Sequence, residues 1–253
     1  MIYVKSGAEA IDGFYVKEYP QFDNKKHWCS DIFGPRYSHA KAPGPQALMV
    51  DMEPAEVVRP HFHGTAQFQL FPAGSGAIGR KNEPIQSLMV QFKDHHTAYG
   101  PLVAGPNGLT FISLRVFTGA SAPVYLDDPQ LREKLKPSKR RNWLSPRLEL
   151  STVSILRHRA EPAWEPLWDP ATIDDEMNAQ LLRLGAGQTV AGPDPSRAAG
   201  YYVFVVNGSL VHGGQDLGTW SMVVVEPTEA AFNIIAGERG LEALVLEFPK
   251  DYE

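Results

Sequence analysis

The amino-acid sequence predicts an all-β protein. Short runs rich in β-branched and aromatic residues are separated by glycine and proline, of which the chain has 22 and 21. The 3.6-residue periodicity of long amphipathic helices is almost absent. With 253 residues, of which 43% are apolar, the chain can bury one large core or two smaller ones.

The predicted elements follow from these runs and from the turn-forming residues that end them. Strands are predicted at residues 47–52, 67–71, 87–92, 110–117, 152–157, 180–184, 201–206, 221–225, 231–235 and 241–248. Two short helices are predicted at residues 128–136, where Pro129 fits the first turn, and at residues 173–178. The aromatic residues within residues 1–45 indicate a packed extension.

A segment near the middle of the chain is similar to one near its end. Residues 104–115 (AGPNGLTFISLR) are echoed by residues 236–247 (AGERGLEALVLE). Such self-similarity predicts two copies of one domain. We therefore expect an N-terminal extension (1–45), a first domain (46–120), a short helical linker (121–150) and a second domain (151–253). The linker carries a basic cluster interrupted by acidic residues, which we interpret as a solvated surface.

Charge and composition favour a globular protein of the cytoplasm. The net charge of -5 argues against a nucleic-acid partner. Neither a signal-peptide pattern nor an apolar run of membrane-spanning length is present, so no membrane association is expected. A single cysteine, Cys29, excludes an intrachain disulfide and is interpreted as an unreactive thiol.

Two histidines in the segment HFHGTAQ are the strongest sign of chemistry. On a β-strand, residues two apart project from the same face, about 6.5 to 7 Å apart, so His61 and His63 converge while Phe62 points away. Gln67 would lie on the next strand, after a turn at Gly64 and Thr65. This arrangement predicts a site for a divalent metal ion, whereas the alternative is a pair of ordinary structural histidines.

These residues resemble the first motif of the cupin superfamily. That motif has glycine, five residues, His-x-His, three or four residues, glutamate, six residues and glycine. The chain matches its spacing at His61, His63, Gln67 and Gly74, with an amide in place of the carboxylate and Ala55 in place of the leading glycine. The neutral Gln67 would leave a bound cation with more net positive charge, which favours an anionic ligand.

The second cupin motif is glycine, five residues, Pro-x-Gly, two residues and histidine. It is aligned on Phe92, Ala98, Gly100 and Val103, so a valine stands at the third histidine. One residue of the nearby His95-His96 pair can face inward, and we expect His96 to replace the missing ligand or to act as a general acid or base. Tyr99 is expected to line the same pocket as a second catalytic candidate.

The resemblance implies two jelly-roll barrels, each a double-stranded β-helix. The first would hold one divalent metal ion (Fe, Zn, Mn or Ni) through His61, His63, Gln67 and His96. The matching positions of the second copy are Pro195, Arg197 and Tyr201, which predicts a degenerate domain without metal. Because two-domain cupins often pair, the resemblance also implies a homodimer.

Two classes of function stay open at this point. One is a metal-dependent enzyme acting on a small oxygen-bearing organic molecule, with a dioxygenase-type oxidoreductase as the commonest activity by resemblance. The same metal site would also suit an isomerase, a lyase or a cyclase. The other class is a non-catalytic protein that binds or senses a small molecule.

Overall fold

The computed structural model describes residues 1–19, 25–34, 44–116, 122–127 and 129–253. The chain forms two compact units. The N-terminal unit comprises Gly13–Arg147 with Tyr252–Glu253, and the C-terminal unit comprises Leu148–Asp251 with Met1–Asp12. The predicted extension at residues 1–45 is therefore divided between the two units. Throughout the described chain, no helix has the length and apolar character needed to span a membrane.

Nine of the described strands form the main sheet of the N-terminal unit, and all pairings are antiparallel. Numbered along the whole chain, they are β2 (Tyr15–Tyr19), β3 (Lys25–Phe33), β4 (Gln46–Met52), β5 (Val57–Val58), β7 (Gln67–Ile78), β8 (Glu83–Gln86), β9 (Met89–Lys93), β10 (Leu102–Arg115) and β12 (Asn142–Leu144). Their order is β12-β9-β7-β10-β4-β3-β2, with β5 on β10 and β8 on β7. A separate ribbon pairs β6 (His61–Phe62) with β11 (Val124–Tyr125), and helix α2 (Pro129–Arg132) follows.

Eight strands form the sheet of the C-terminal unit. They are β1 (Ile2–Lys5), β13 (Ala163–Pro166), β14 (Asn178–Leu184), β15 (Thr189–Ala191), β16 (Tyr201–His212), β17 (Gln215–Leu217), β18 (Met222–Val225) and β19 (Asn233–Glu247). Their order is β1-β18-β16-β19-β14-β13, with β15 on β19 and β17 on β16. This unit also contains helices α1 (Gly7–Asp12) and α3 (Val153–Arg157) and two single-turn 3-10 helices, Pro170–Thr172 and Pro195–Arg197.

One face of β10 runs from the apolar core of the N-terminal unit to a polar site. Residues two apart share a face of a strand, so Leu109, Phe111, Ser113 and Arg115 point to the same side. The first two belong to the apolar core with residues of β4 and β7, whereas the last two line a cavity. The polar site therefore lies at the end of β10, directly beyond the apolar core.

The repeated segments occupy matching places in the two units. Gly74 of β7 lies opposite Leu109 of β10, and Gly208 of β16 lies opposite Leu241 of β19. Both glycines have positive φ angles, 80° and 74°, and a side chain at Gly74 would overlap the carbonyl oxygen of Gly108. Glycine is required at these two positions by both the backbone conformation and the close approach.

The all-β prediction is confirmed, and two of the predicted elements are wrong. Residues 152–157 were expected to be a strand but contain helix α3, because the turn buries Leu156 against Gly240 while its β-branched residues stay exposed. Residues 173–178 do not form a helix, since Asp175 accepts a hydrogen bond from the Met177 amide in a turn before β14.

The predicted linker helix is shorter in the structure, and over the described residues the two sheets are not closed into the predicted barrels. The helix is reduced to the single turn of α2, whose preceding residue 128 lies outside the described chain. Residue 117, the end of one predicted strand, also lies outside it. Within the described residues, neither sheet is closed by hydrogen bonds between its first and last strands.

Candidate functional site

Backbone pairing places the two histidines of the HFH segment beside a tyrosine. The His61 amide donates to the Tyr99 carbonyl oxygen, and the Tyr99 amide donates to the His61 carbonyl oxygen, both at 3.0 Å. Phe62, between the histidines, projects to the opposite face of the extended segment. The alternation expected from the sequence therefore holds, and it aims His61 and His63 towards the same side.

Three buried rings come together at this point. The ring centroids of His61 and His63 are 5.0 Å apart, with planes nearly perpendicular. The Tyr99 centroid lies 4.4 Å from that of His61 and 6.2 Å from that of His63. All three side chains are less than 10% exposed. The structure thus assembles both predicted histidines with one of the two predicted catalytic residues.

The His61 imidazole is held in one neutral tautomer. Its Nδ1 lies 2.7 Å from the Arg59 carbonyl oxygen, and because a carbonyl can only accept, Nδ1 carries the proton. Burial lowers the pKa of His61 to about 3; the Arg59 hydrogen bond opposes this shift, and the charges of Lys93 and Arg115 add to it. His61 is therefore neutral at physiological pH, with the Nε2 lone pair available to accept a proton or to bind a cation.

Arg115 reaches into the same cluster and fixes the orientation of Gln67. Its Nη2 donates to Gln67 Oε1 at 2.7 Å and lies 3.5 Å from His63 Nε2. A further hydrogen bond joins the guanidinium to Gln46. The Gln67 nitrogen donates in turn to the Tyr99 hydroxyl at 3.0 Å. The amide oxygen that was predicted to bind a metal is thus engaged by a guanidinium.

Lys93 is a buried basic residue that the sequence pattern did not reveal. Its Nζ donates to Gln69 Oε1 at 2.7 Å and lies 3.3 Å from the centre of the Tyr99 ring. Burial lowers the pKa of Lys93 well below its usual value, and the charge of Arg115 lowers it further. The alternating residues 90–93 (VQFK) resemble a half-exposed strand, yet all four are buried. Lys93 differs from a surface lysine only because both faces of its strand are buried in the folded protein.

His96 lies on the other face of the HFH segment. Its ring centroid is 5.7 Å from that of Phe62 and 5.3 Å from that of His95, while its amide donates to the His63 carbonyl oxygen at 2.7 Å. Burial lowers the pKa of His96, and the charges of His95, Lys136 and Arg140 add to this shift. The structure brings the backbone of His96 to the paired histidines but turns its ring away from them.

The position of Tyr99 changes the alignment of the second cupin motif. Val103, aligned with the third histidine, is on β10 opposite Ala77 and does not line the site, whereas Tyr99 does. When Tyr99 takes the histidine position, the two motif glycines fall on Leu88 and His96. Both have the positive φ angles that glycine favours, 67° and 52°.

The glycine positions of the first motif have the same property. Ala55, aligned with the leading glycine, has a φ of 61°, and Gly74 has a φ of 80°. The backbone therefore keeps the glycine conformation even where another residue has replaced glycine. Positive φ angles are a property of the folded backbone and cannot be read from sequence spacing, which aligned the second motif four residues further along the chain, with Gly100 (φ 95°) as its central glycine.

A cavity of about 60 Å³ adjoins this cluster, and we call it the N-terminal cavity. Its polar side is formed by His27, His61, His63, Gln69, Tyr99 and Arg115. Leu48, Val50, Leu102 and Phe111 supply much of its apolar side. A buried carboxylate is close by, since Glu56 Oε1 lies 2.7 Å from Nδ1 of His27. The cavity thus combines an apolar wall with a polar wall that contains one permanent cation.

The described residues do not form a complete metal site. His61 suits a metal, because Nδ1 is hydrogen-bonded to a carbonyl and Nε2 is left to coordinate. In contrast, the Arg115 guanidinium lies beside His63 Nε2 and already binds the oxygen of Gln67. Across the described chain, no three histidine, cysteine or acidic side chains are grouped for metal binding. A guanidinium in this place opposes a second cation.

Comparison with solved structures identifies the fold. The chain is similar to Escherichia coli pirin YhhW in complex with nickel(II), with a TM-score of 0.56, 11% identity and 98% and 99% of the two chains covered. It is similar to a conserved barrel domain protein of the cupin 2 type from Leptotrichia buccalis, with a TM-score of 0.50, 10% identity and 88% of each chain covered. The fold is that of the cupins.

Another solved structure with a similar fold is that of an oxalate decarboxylase. The Bacillus subtilis enzyme, as a deletion mutant, matches with a TM-score of 0.54, 10% identity, and coverage of 100% of this chain and 78% of that chain. No protein-family profile and no curated protein sequence matches the chain. At such low identity the likeness shows the fold alone, so the function must be argued from the site.

Proposed function

We propose that the N-terminal unit binds a small organic anion in the N-terminal cavity, beside His61 and His63. The observation that carries this proposal is the buried guanidinium of Arg115 at the cavity wall, with the Lys93 amine behind Gln69 and Tyr99. Both basic side chains are at most 2% exposed.

The electrostatics of the site favour a negative charge in the cavity. Within the described residues, Lys93 has no carboxylate within 4 Å, and its contacts are with Gln69 and Tyr99. Taking an ammonium out of water is costly unless an opposite charge is near. A ligand carboxylate would provide that charge and would favour the protonated form of Lys93. His61, being neutral, would not compete for the anion.

Arg115 and the apolar residues of the cavity would contact different parts of the ligand. The planar guanidinium suits a carboxylate, which it can receive through two parallel hydrogen bonds. Leu48, Val50 and Phe111 also line the cavity and would contact the carbon skeleton. The small cavity favours a compact molecule with one or two oxygen functions, and Tyr99 and His61 are placed to accept or donate at the second oxygen.

A metal-dependent enzyme is the second candidate, and the His61 tautomer favours it. An imidazole with Nδ1 bound to a backbone carbonyl is the usual arrangement of a metal ligand. In that case Nε2 of His61 and of His63 would hold the ion, which would supply Lewis-acid or oxygen-activating chemistry to the bound anion. Oxygenase, isomerase, lyase and cyclase activities are the reaction classes that such a site would serve.

Calorimetric titration with small acids and their neutral analogues tests the proposal. Oxalate, lactate and pyruvate are compared with lactamide, which lacks the charge. We expect at least one acid to bind and lactamide not to bind. Arg115→Gln should weaken binding of that acid about 10-fold or more, and Lys93→Met should weaken it as well. Arg147→Gln, at an exposed arginine of the same unit, should leave binding unchanged.

Metal analysis of the same preparations separates the two candidates. Protein purified without added metal is assayed for bound ions, then again after incubation with nickel, manganese, iron or zinc. A stoichiometric ion that disappears in His61→Ala and His63→Ala would favour the enzyme, and oxygen consumption with catechols, diketones and hydroxy acids would then be measured. If no acid binds with or without metal, the proposed function is wrong.

A further inference from the structure

The C-terminal unit has a cavity of its own, which we call the C-terminal cavity. It has a volume of about 720 Å³, in the range typical of sites for small organic ligands. Its floor and walls include Trp164, Asn178, Gln180, Arg197 and Glu247. All of these residues belong to one unit, and all are within the described chain.

The strand register places this cavity where the N-terminal unit has its site. Gln46 of β4 is opposite Arg115 of β10, and in the same way Asn178 of β14 is opposite Glu247 of β19. The segments 104–115 and 236–247 align the same two end residues. The residue at the end of the long strand is thus a cation in one unit and an anion in the other.

Glu247 is a largely buried carboxylate that lines the C-terminal cavity. It is 9% exposed, and its Oε2 accepts a hydrogen bond of 2.8 Å from Asn178 Nδ2. Within the described residues its other oxygen, Oε1, has no hydrogen-bond donor. Glu247 lines the cavity, so this largely buried carboxylate has one oxygen that can accept a hydrogen bond from a ligand.

Most of the remaining charges of the cavity have the same sign as Glu247. Asp175, Glu176 and Asp194 stand at its rim, against the single guanidinium of Arg197. Asp194 accepts hydrogen bonds from the amide and hydroxyl of Ser196, and Glu176 accepts one from an amide. These rim carboxylates hold local structure, yet their charge makes the cavity attractive to cations.

An aromatic wall completes the site. Trp164 of β13 packs with one part against the apolar core of the C-terminal unit and lines the cavity with another. Tryptophan is the side chain that best attracts an organic cation to its ring face. A neutral polyol would gain the aromatic contact but would leave the negative charge uncompensated.

We propose that the C-terminal cavity binds an organic ammonium ion, with its N–H groups donating to Glu247 Oε1 and its carbon chain against Trp164. The site is separate from the N-terminal cavity and does not depend on the function proposed for it. Burial raises the pKa of Glu247, although the Asn178 hydrogen bond and the Arg197 charge oppose this rise. A bound ammonium would favour the ionised carboxylate.

Calorimetry on the full chain with putrescine, agmatine and choline tests this site, with 1,4-butanediol and glucose as neutral probes. Salt at 150 mM suppresses binding to exposed charges. We expect an amine to bind with one site and the diol and sugar not to bind. Glu247→Gln should weaken the amine about 10-fold or more. Glu161→Gln, at an exposed position, should bind as the wild type does.

A second variant should change the affinity for the amine in the opposite direction. Arg197→Gln replaces an exposed arginine and removes the cation that competes with the ligand, so the amine should bind more tightly. This test stands even if Glu247→Gln does not fold, which circular dichroism would reveal. The proposal is wrong if none of the three amines binds, if the diol or sugar binds equally well, or if Arg197→Gln weakens the amine.

Discussion

Lys93→Met is the substitution that tests the electrostatics of the N-terminal site most directly. Methionine is close to lysine in length and fits a buried position without a new cavity. The change removes the amine that donates to Gln69 and lies over Tyr99. We predict a folded protein whose free energy of unfolding depends less on pH than that of the wild type between pH 7 and pH 10.

The direction follows from the lowered pKa of Lys93. The unfolded chain keeps the lysine proton up to the usual pKa of 10.5, whereas the folded protein releases it at lower pH. Between these two pKa values the unfolded state binds more protons, so the folded protein loses stability as the pH falls. The loss is about 1.4 kcal/mol for each pH unit in this window and stops below the folded pKa.

The variant loses this slope and also loses a hydrogen bond. Methionine leaves Gln69 Oε1 without the Lys93 donor, and an unpaired buried acceptor costs about 1 to 3 kcal/mol. At pH 10 the variant should therefore be the less stable protein. Towards pH 7 the difference should shrink or reverse, because only the wild type has an amine that must lose its proton or carry a buried charge.

Urea unfolding at half-unit pH steps from 7 to 10 measures both proteins. The quantity of interest is the difference between their free energies of unfolding, in which contributions common to both proteins cancel. Lys250→Met, at an exposed lysine, serves as the control and should give a difference that does not change with pH. Parallel curves for Lys93→Met and wild type would show that the reasoning about the buried amine is wrong.

Three further predictions concern the same unit. Burial lowers the pKa of His61 to about 3 from 6.5, so the free energy of unfolding falls as the pH is lowered from 6.5 to 3. His61→Gln should lessen this fall, as measured by urea unfolding at pH 4 to 6. Gln67→Glu should form an ion pair with Arg115 and weaken anion binding in calorimetry; unchanged affinity would contradict the role of Arg115. Gly79 has a positive φ and open space around it, so Gly79→Ala should lower the free energy of unfolding by about 1 to 2 kcal/mol in thermal unfolding. Gly74→Ala would also overlap a carbonyl oxygen, so it should lower that free energy by about 2 to 5 kcal/mol.

Several properties of the fold and the site were available from sequence pattern alone. The all-β fold follows from short apolar runs between glycine and proline, because these residues are common in the turns and bulges that separate or bend strands. The alternation of His61, Phe62 and His63 placed both imidazoles on one face, since the two-residue repeat of a strand is a local property. The likeness of residues 104–115 and 236–247 indicated that matching strands occupy matching places.

Predictions from local sequence pattern were wrong where long-range packing determines the conformation. The β-branched residues of 152–157 predict a strand, but the burial of Leu156 on Gly240 selects a helical turn. His96 was expected to face the histidine pair, yet its positive φ turns the ring towards Phe62. Neither contact leaves a mark in the neighbouring sequence, because each depends on a segment distant along the chain.

The sequence alone determined the fold class, the similarity of two distant segments and the pair of histidines on one face. Only the tertiary structure decided the charge of the two cavities. Arg115 and Glu247 end equivalent strands, and Lys93 lies in an alternating run that looks exposed. A charged residue has its full electrostatic effect only after burial removes water, and burial depends on strands that are far apart in sequence.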